Sequence, residues 1–378
     1  MRQTVLITGL GKLGTEVLRQ MSLTPNIRIV GCDIDENRGQ RVCNYHQQLA
    51  YSKGYDPEIE FERLDLFDVE RIETVLSEWE PDVVFQSGTA LSPLTLEARL
   101  PADLFEQAYK QPGSGHFAPM HVQFPLNVAR AMENLGIFEQ TRFINASYPD
   151  FVNAVLAGMG YPPDCGVGNI GTFVPTFEHA AAKRLGEPRT DVSIFTAMPH
   201  KVATDCFWRN KSTDGMPYYL KVVCRGEDVT DSADPDESLR NEGWPEIPDL
   251  IDDMSDSRPM VAASATRIIV GMLHDTNEIV HAPGPNGKIG GWPFRINIEG
   301  ATVVVPEDTS ERELHEINEK GLELDGIDRV TDEGEIVYTE ENHELVSDAL
   351  GYDCKVFQPD KLQEHIEEIN QQLSQYME

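Results

Sequence analysis

A short glycine-rich segment near the N-terminus has the residue types and the spacing needed to bind phosphate groups. Residues 9–14 read GLGKLG, which is the pattern G-x-G-x-x-G, and they follow an apolar stretch at 4–8. In such a turn Gly9 permits a tight bend, Gly11 lets the backbone approach a pyrophosphate, and Gly14 lets the next helix pack against the strand. The segment therefore predicts a dinucleotide-binding turn, and a glycine-rich turn without a ligand is the alternative.

The residues around this turn indicate which dinucleotide is bound. The following helix begins near Lys12 and Leu13, where free backbone N–H groups are available to the phosphates. A second apolar run, 27–32, ends at Asp33, which is the position expected of a carboxylate that binds ribose hydroxyls. Because a carboxylate there repels a 2′-phosphate, NAD is favoured over NADP, although the nearby Arg38 keeps NADP open.

Predicted strands and helices alternate through the first 150 residues. Asp65 and Ser87-Gly88 follow predicted strands, and this alternation predicts a doubly wound parallel sheet, a Rossmann domain that binds its ligand at the carboxyl ends of the strands. Asp65 is then expected near the adenine, unless it caps the next helix, and Ser87 and Gly88 near the pyrophosphate or the nicotinamide ribose. The expected strands are 4–8, 27–32, 60–64, 81–88 and 141–147, and the expected helices are 15–21, 36–50, 69–79 and 121–135.

The order of elements changes beyond this region. Residues 89–118 carry prolines, glycines and a single arginine, Arg99, and we expect them to be mostly irregular and to form a lid or an insert. The chain is thus predicted to be an α/β protein with a Rossmann NAD domain at 1–150, an α+β catalytic domain at 151–340 and a C-terminal helical extension at 341–378. The later elements are strands at 191–198 and 218–224, an acidic loop at 225–259, an antiparallel group at 278–282, 294–298 and 301–305, and helices at 172–185, 261–273, 310–322 and 361–377.

Composition restricts the partners and the compartment. The 378 residues include 64 acidic and 31 basic side chains, for a formal charge of −33. Coulomb repulsion makes nucleic acid or an anionic membrane an unfavourable partner, and such acidity is typical either of a salt-adapted host or of an acidic soluble protein. The chain has no apolar run long enough to span a membrane, its first strand starts at once, and its six cysteines form no C-x-x-C pair. We expect a cytoplasmic protein with a small-molecule substrate and no signal peptide, disulfide framework or metal site.

Two family resemblances cover different parts of the chain. Residues 1–90, with the glycine turn, the segment DLFD at 65–68 and PDVV at 81–84, resemble extended short-chain dehydrogenases and sugar-nucleotide epimerases. That family uses Tyr-x-x-x-Lys as its acid and base, and no tyrosine of this chain has a lysine four residues later. The resemblance therefore implies the fold of this part but lacks the family's catalytic pair.

The second half is similar to the lactate/malate dehydrogenase superfamily in its order of parts. NASYPD at 145–150 resembles that family's N-x-S-N-P turn, 166–172 resembles its glycine-rich turn before a long helix, and AMPH at 197–200 resembles the strand end with its catalytic histidine. Residues 300–306 with the acidic helix that follows resemble its closing strand and C-terminal helix. The resemblance implies NAD as the cofactor, Asn145 as a cofactor contact, and a homo-oligomer that is a dimer or a tetramer.

The resemblance also implies roles for three side chains. His200 would take the hydroxyl proton as hydride leaves for the nicotinamide, because an imidazole titrates near neutral pH. Arg99 would polarise the substrate carbonyl or bind an anionic group, and Tyr148 would hydrogen-bond the reacting oxygen. Each has a structural alternative, namely a strand-end histidine, a solvated loop arginine and a tyrosine packed under the sheet edge.

Three positions depart from the family. Tyr148 stands in place of an asparagine that contacts the substrate, Pro175 in place of the aspartate that orients the histidine, and Glu178 in place of the arginine that binds the substrate carboxylate. Because Glu178 would repel a carboxylate, a simple 2-hydroxy acid is a poor substrate candidate. We expect Glu178, with His179 beside it, to recognise a cationic or hydroxylated group instead.

The missing aspartate leaves the partner of His200 open among Asp150, Glu178 and Asp205. Taken together, these features predict an NAD-dependent oxidoreductase that interconverts a secondary alcohol and its ketone. An epimerase or dehydratase that retains its NAD through the cycle is the first alternative. A dinucleotide-binding protein without catalysis is the second, because the family's aspartate and arginine are both missing.

Overall fold

A five-stranded parallel sheet forms the centre of the N-terminal half. The computed structural model describes residues 2–203, 213, 215–234 and 257–376. The spatial order of the strands is β3-β2-β1-β4-β5, and every neighbouring pair is parallel. The strands are β1 (Gln3–Thr8), β2 (Ile27–Asp33), β3 (Glu58–Arg63), β4 (Val83–Gln86) and β5 (Arg142–Asn145).

Helices cover both faces of this sheet, as a doubly wound fold requires. They are α1 (Lys12–Met21), α2 (Glu36–Ser52), α3 (Val69–Trp79) and α6 (Ala118–Asn134). β1 and β4 are buried runs of branched and aromatic side chains, which is typical of parallel strands covered on both sides. The prediction of an α/β protein with a Rossmann sheet is confirmed.

The expectation that residues 89–118 are mostly irregular is wrong. This stretch contains α4 (Pro93–Arg99), α5 (Ala102–Phe105), a π-helical turn (Glu106–Lys110) and a 3-10 turn (Gly115–Phe117). The side chain of Ser92 caps α4, whose first residue is a proline. Prolines and glycines punctuate these short helices without unfolding them, because Leu96, Phe105 and Phe117 are buried in the core.

The second half contains two antiparallel sheets of three strands. The first consists of β6 (Val192–Ala197), β7 (Tyr219–Cys224) and β8 (Glu227–Asp228), and the second of β9 (Ile279–Pro283), β10 (Gly291–Asn297) and β11 (Gly300–Val303). An antiparallel bridge between Met198 and Gly291 connects them. The antiparallel group expected at 278–305 is confirmed.

Helices join these sheets to the Rossmann sheet. They are α7 (Phe151–Gly158), α8 (Ile170–Leu185), the short α9 (Thr230–Ala233) and α10 (Arg258–Leu273), and α10 packs along α1. The predicted acidic loop at 225–259 contains β8 and α9, and its residues 235–256 lie outside the described part of the chain.

The C-terminal part has more structure than the sequence predicted. After α11 (Glu311–Lys320) and a 3-10 turn (Gly321–Asp325), a third antiparallel sheet is formed by β12 (Ile327–Val330), β13 (Ile336–Tyr338) and β14 (Val356–Phe357). Helices α12 (Glu340–Leu350) and α13 (Leu362–Leu373) complete it, and α13 packs on α6. Apolar side chains from 91–156 and from 289–373 share one core, so the C-terminal elements hold the 89–118 segment in place. No described helix is both long and apolar enough to cross a membrane.

Candidate active site

The glycine-rich turn lies between β1 and α1. Its shape is possible because glycine has no Cβ. Gly9 has a φ of +87°, and a Cβ on it would lie 2.7 Å from the Cα of Gly88. A Cβ on Gly14 would overlap the carbonyl oxygen of Gly9, whereas a Cβ on Gly11 would meet nothing within 4 Å. The turn is therefore closed towards the protein at Gly9 and Gly14 and open to a ligand at Gly11. Lys12 and Leu13 form the first turn of α1, and Ser87 Oγ lies 2.9 Å from Gly9 O.

A cavity of about 280 Å³ opens beside this turn at the carboxyl ends of the strands. Gly9, Gly11, Asp33, Asp65, Ser87 and Gly88 all contribute to its lining, so the structure brings these predicted cofactor residues together. Asp33 Oδ2 accepts a hydrogen bond from the backbone N of Leu10 at 2.9 Å, which fixes the carboxylate against the turn. The Arg38 guanidinium is 3.5 Å from the same oxygen. Asp65 accepts from the backbone N of Phe67, whereas Asp68 caps α3.

A second cavity, of about 190 Å³, is reached from the start of α1. Leu13 lines it on one side, and the segment after β5 lines it on another with Asn145, Tyr148 and Asp150. Asn145 is buried and immobilised, because its Nδ2 donates to Asn153 Oδ1 at 2.8 Å and its Oδ1 accepts from the backbone N of Ser147 at 3.1 Å. This cavity begins where the glycine turn ends, which is where a bound dinucleotide would present its reactive end.

His200 lies two residues beyond Met198, which forms the bridge that follows β6, and a carboxylate orients it. Its Nδ1 is 3.4 Å from Asp325 Oδ2, and both side chains are about 5% exposed. Asp325 ends the 3-10 turn before β12, and its other oxygen accepts a hydrogen bond from Ser114 Oγ at 2.9 Å. With Nδ1 turned towards Asp325, Nε2 is the ring nitrogen on the side away from that carboxylate. Nε2 is buried, and His200 does not itself line the cavity after β5.

Asp325 was not among the three partners expected for His200. Asp150 is close, since it lines the same small cavity as His200 and Asp325. Glu178 is instead paired with Arg189 at 3.5 Å, and Asp205 lies outside the described residues. The run Gly113-Ser114-Gly115 is the sequence feature that could have indicated this arrangement. A Cβ on either glycine would collide with the backbone at Asp325, so both glycines are needed for Ser114 to reach that carboxylate.

The charges of this cluster reinforce one another. Burial opposes a charge on His200, but Asp325 and Asp150 outweigh it, so the pKa of His200 is raised. Burial also works against the Asp325 carboxylate, yet His200 holds the pKa of Asp325 below its ordinary value. Burial raises the pKa of Asp150 to about 6, against the opposing effects of His200 and Asn169. Each member of the pair thus favours the charged form of the other, the imidazolium of His200 and the carboxylate of Asp325.

Tyr148 connects this cluster to the cavity after β5. Its ring meets His200 edge to face with 4.9 Å between ring centroids, and it also lines the cavity. On its other side His121 lies 6.3 Å away, and burial lowers the pKa of His121 to about 4, so that ring is neutral. His200 therefore has one aromatic and two acidic neighbours.

Six predicted residues do not line either cavity, namely Lys12, Gly14, Arg99, Glu178, His179 and His200. Arg99 is exposed at the end of α4. Glu178 lies more than one turn along α8 from Thr172 and Phe173, the helix residues that line the cavity after β5. His179 is exposed on the same helix. Pro175, inside α8, carries no group that could orient His200. None of the described residues lining this cavity is a lysine or an arginine.

Comparison with known proteins identifies the fold. No protein-family model matches the chain, and no curated protein sequence matches it. Among solved structures, lactate dehydrogenase from Eimeria maxima with NADH and oxamate superposes with a TM-score of 0.58 at 13% identity, over 85% of this chain and 92% of that one. Malate dehydrogenase from Cryptosporidium parvum superposes with a TM-score of 0.56 at 16% identity, over 92% of this chain and 99% of that one. Malate dehydrogenase from Plasmodium falciparum in complex with NADH superposes with a TM-score of 0.55 at 14% identity, over 91% of this chain and 100% of that one.

The chain therefore has the fold of the lactate and malate dehydrogenases over nearly its whole length. At such low identity the likeness establishes the fold, so the activity has to be inferred from the side chains of the site.

Proposed function

We propose that this protein is an NAD-dependent oxidoreductase that interconverts a secondary alcohol and the corresponding ketone. The observation that carries the proposal is the buried pair His200–Asp325, which lies behind Tyr148 at a cavity that starts at the glycine-rich turn. A histidine with a carboxylate on one ring nitrogen has the geometry of a general acid and base. The solved dehydrogenases of this fold that carry NADH support the choice of cofactor.

The residues near the turn fit NAD. The open space at Gly11 and the N-terminus of α1 suit a pyrophosphate, and Asp33 and Asp65 offer carboxylate oxygens to ribose and adenosine groups. Asp33 is fixed by Leu10 N and would repel a 2′-phosphate, although Arg38 lies close to it. When bound, NAD supplies the hydride acceptor of the reaction.

The protein itself moves the proton. In the direction of alcohol oxidation, His200 Nε2 accepts the hydroxyl proton while Asp325 holds Nδ1 and stabilises the imidazolium. In the direction of reduction, the same Nε2 donates its proton to the carbonyl oxygen. The raised pKa of His200 favours the protonated imidazole, which is the form that donates to a ketone. We assign Tyr148 to positioning the reacting oxygen, because its ring contacts His200 edge to face and also lines the cavity.

The first experiment is a fluorescence titration with NADH and with NADPH, followed by a screen of hydroxy acids, amino alcohols and polyols for NADH formation. We expect tighter binding of NADH and turnover that falls by orders of magnitude in His200→Ala. Failure to bind either nucleotide would refute the cofactor, and full turnover in His200→Ala would refute the proton donor. NADH binding without turnover of any substrate would favour the catalytically silent alternative, and stoichiometric NAD in the purified protein would favour the epimerase.

A further inference from the structure

The cavity after β5 has acidic side chains in and behind its lining and no basic side chain among its described lining residues. Asp150 lines it, and Asp325 lies behind His200, so two carboxylates face a single imidazole. The described lining residues include no lysine or arginine to offset them. A substrate carboxylate at this position would add a third negative charge in a desolvated site, where Coulomb repulsion is poorly screened.

The carboxylate of Asp150 is held ready to accept hydrogen bonds. Asn169 Nδ2 lies 2.8 and 2.7 Å from the two oxygens of Asp150, so the amide donates between them and leaves further lone pairs free. Asp150 keeps part of its surface open to the cavity, because the residue is only half-buried. A group bound in the cavity can therefore reach it.

Asn169 itself occupies a backbone conformation that few residues tolerate. It has φ +51° and ψ −126°, in the region that favours glycine, at the start of α8. Its carbonyl accepts from Thr172 Oγ1 at 2.7 Å and from Thr172 N at 2.9 Å, which fixes the turn. Strain that the surroundings maintain at one residue is typical of functional sites, and here it places an amide on Asp150.

We propose that Asp150 binds a hydrogen-bond donor on the substrate, a hydroxyl or an ammonium group beside the reacting carbinol. The substrate is then a polyol or an amino alcohol and not a 2-hydroxy acid. This inference rests on the proposed oxidoreductase function and assigns to Asp150 the recognition that the sequence had suggested for Glu178.

The test compares substrates that differ only in the group next to the carbinol. Propane-1,2-diol, 1-aminopropan-2-ol, lactate and propan-2-ol form such a set, and homologous sets of four to six carbons cover a larger cavity. We expect kcat/KM to be at least tenfold higher for the diol or the amino alcohol than for lactate and propan-2-ol. The diol and amino alcohol arms separate recognition of a hydroxyl from recognition of an ammonium group.

Variants then identify the residue responsible. Asp150→Asn keeps the shape and removes the charge, and we expect it to reduce the preference for donor-bearing substrates over the matched acids by about ten- to a hundredfold. The preference is a ratio, so an effect of this variant on His200 that is common to all substrates cancels. Asp150→Ser serves as a second variant if the asparagine folds poorly. Glu178→Gln tests the sequence-based assignment, and Glu344→Gln, on the exposed side of α12, is a matched charge control.

A binding measurement separates this inference from the proposed function. Calorimetry of the diol, the amino alcohol and lactate with the protein–NADH complex reports recognition without turnover. Binding of a donor-bearing ligand that Asp150→Asn weakens would support the inference even if no redox reaction occurs, in which case only the proposed function fails. Four results would each overturn the inference about Asp150. They are a preference of the wild type for the acids, binding of neither class of ligand, an unchanged preference in Asp150→Asn, and loss of the preference in Glu178→Gln but not in Asp150→Asn.

Discussion

The buried carboxylate of Asp150 should make folding stability depend on pH in a measurable way. Burial raises its pKa from an ordinary 3.8 to about 6. A carboxyl group whose pKa is raised in the folded state stabilises the fold fully below the unfolded pKa, and this contribution is lost as the pH rises through the folded pKa. The wild type should therefore lose stability between about pH 4 and pH 7 relative to a variant that cannot ionise at this position.

Asp150→Asn is that variant, and the size of the effect follows from the two pKa values. Their difference corresponds to about 3 kcal/mol at 1.36 kcal/mol per pKa unit. Solvent in the cavity screens part of this, so we expect about 1–3 kcal/mol. Below pH 4 both proteins carry a neutral side chain at position 150, so their difference in unfolding free energy there provides the baseline. By pH 7 the variant should have gained that amount relative to the wild type.

Urea unfolding of both proteins at a series of pH values from about 3 to 8 measures this difference directly. The neighbouring His200 also titrates, and loss of the Asp150 charge should lower its pKa, so His200→Asn and the double variant belong in the series. The pH dependence assigned to Asp150 must persist on the His200→Asn background. A difference between wild type and Asp150→Asn that does not change with pH, or that changes in the opposite sense, would refute the reasoning.

Three further predictions follow from the site and the composition. Asp325→Asn should lower kcat by roughly 10²–10⁴-fold. It should also move the loss of reductase activity at high pH to lower pH, because the Asp325 carboxylate stabilises the His200 imidazolium. An unchanged pH–rate profile would contradict that role. Gly11→Ala should leave the melting temperature unchanged but weaken NADH binding, because a Cβ there meets only open space. Gly14→Ala should destabilise the fold by about 1–3 kcal/mol, because its Cβ would overlap the backbone of Gly9. Equal effects of the two variants on the melting temperature would contradict this geometry. With a formal charge of −33, the unfolding free energy should rise between 0.1 and 1 M KCl as the Debye length falls from about 10 to about 3 Å, and a flat salt dependence would count against a salt-adapted protein.

The Rossmann half could be predicted from the sequence because its signals are local. β1 and β4 are continuous apolar runs, α3 has a clear apolar stripe, and the glycine turn specifies its own backbone. The carboxyl ends of parallel strands meet at one edge, so strand order alone was enough to gather Asp33, Asp65 and Ser87 into one cavity. No contact between distant segments had to be known.

The segment 327–357 could not be predicted by the same means. β12, β13 and β14 are two to four residues long, which is too short to show a reliable alternation, and α12 is acidic with few apolar residues. These elements are stabilised by tertiary packing, since Ile327, Ile336 and Tyr338 are fully or almost fully buried in the shared core. The prolines at 93, 101 and 112 are typical of irregular structure, but in this chain they start or separate short helices that are packed against the core.

The partner of His200 depended on an adjacency that no spacing rule encodes. The family resemblance places the orienting aspartate on α8, where the chain has Pro175, and the substitutes expected from the sequence were Asp150, Glu178 and Asp205. Asp325 reaches His200 because the turn that carries it packs tightly on Pro199, where even one added carbon on Gly321 would collide. Only the close packing of two distant turns reveals that contact.

The position of Asp325 in the chain also fixes the order in which the protein acquires its parts during synthesis. Every predicted cofactor residue from Gly9 to Gly88 leaves the ribosome long before the turn at 321–325, and Ser114 and His200 emerge in between. A nascent chain therefore has all the residues of the dinucleotide cavity while His200 still lacks its carboxylate. During translation the residues of the proposed nucleotide site are thus complete before the two members of the proposed proton-transfer pair, His200 and Asp325, are both present.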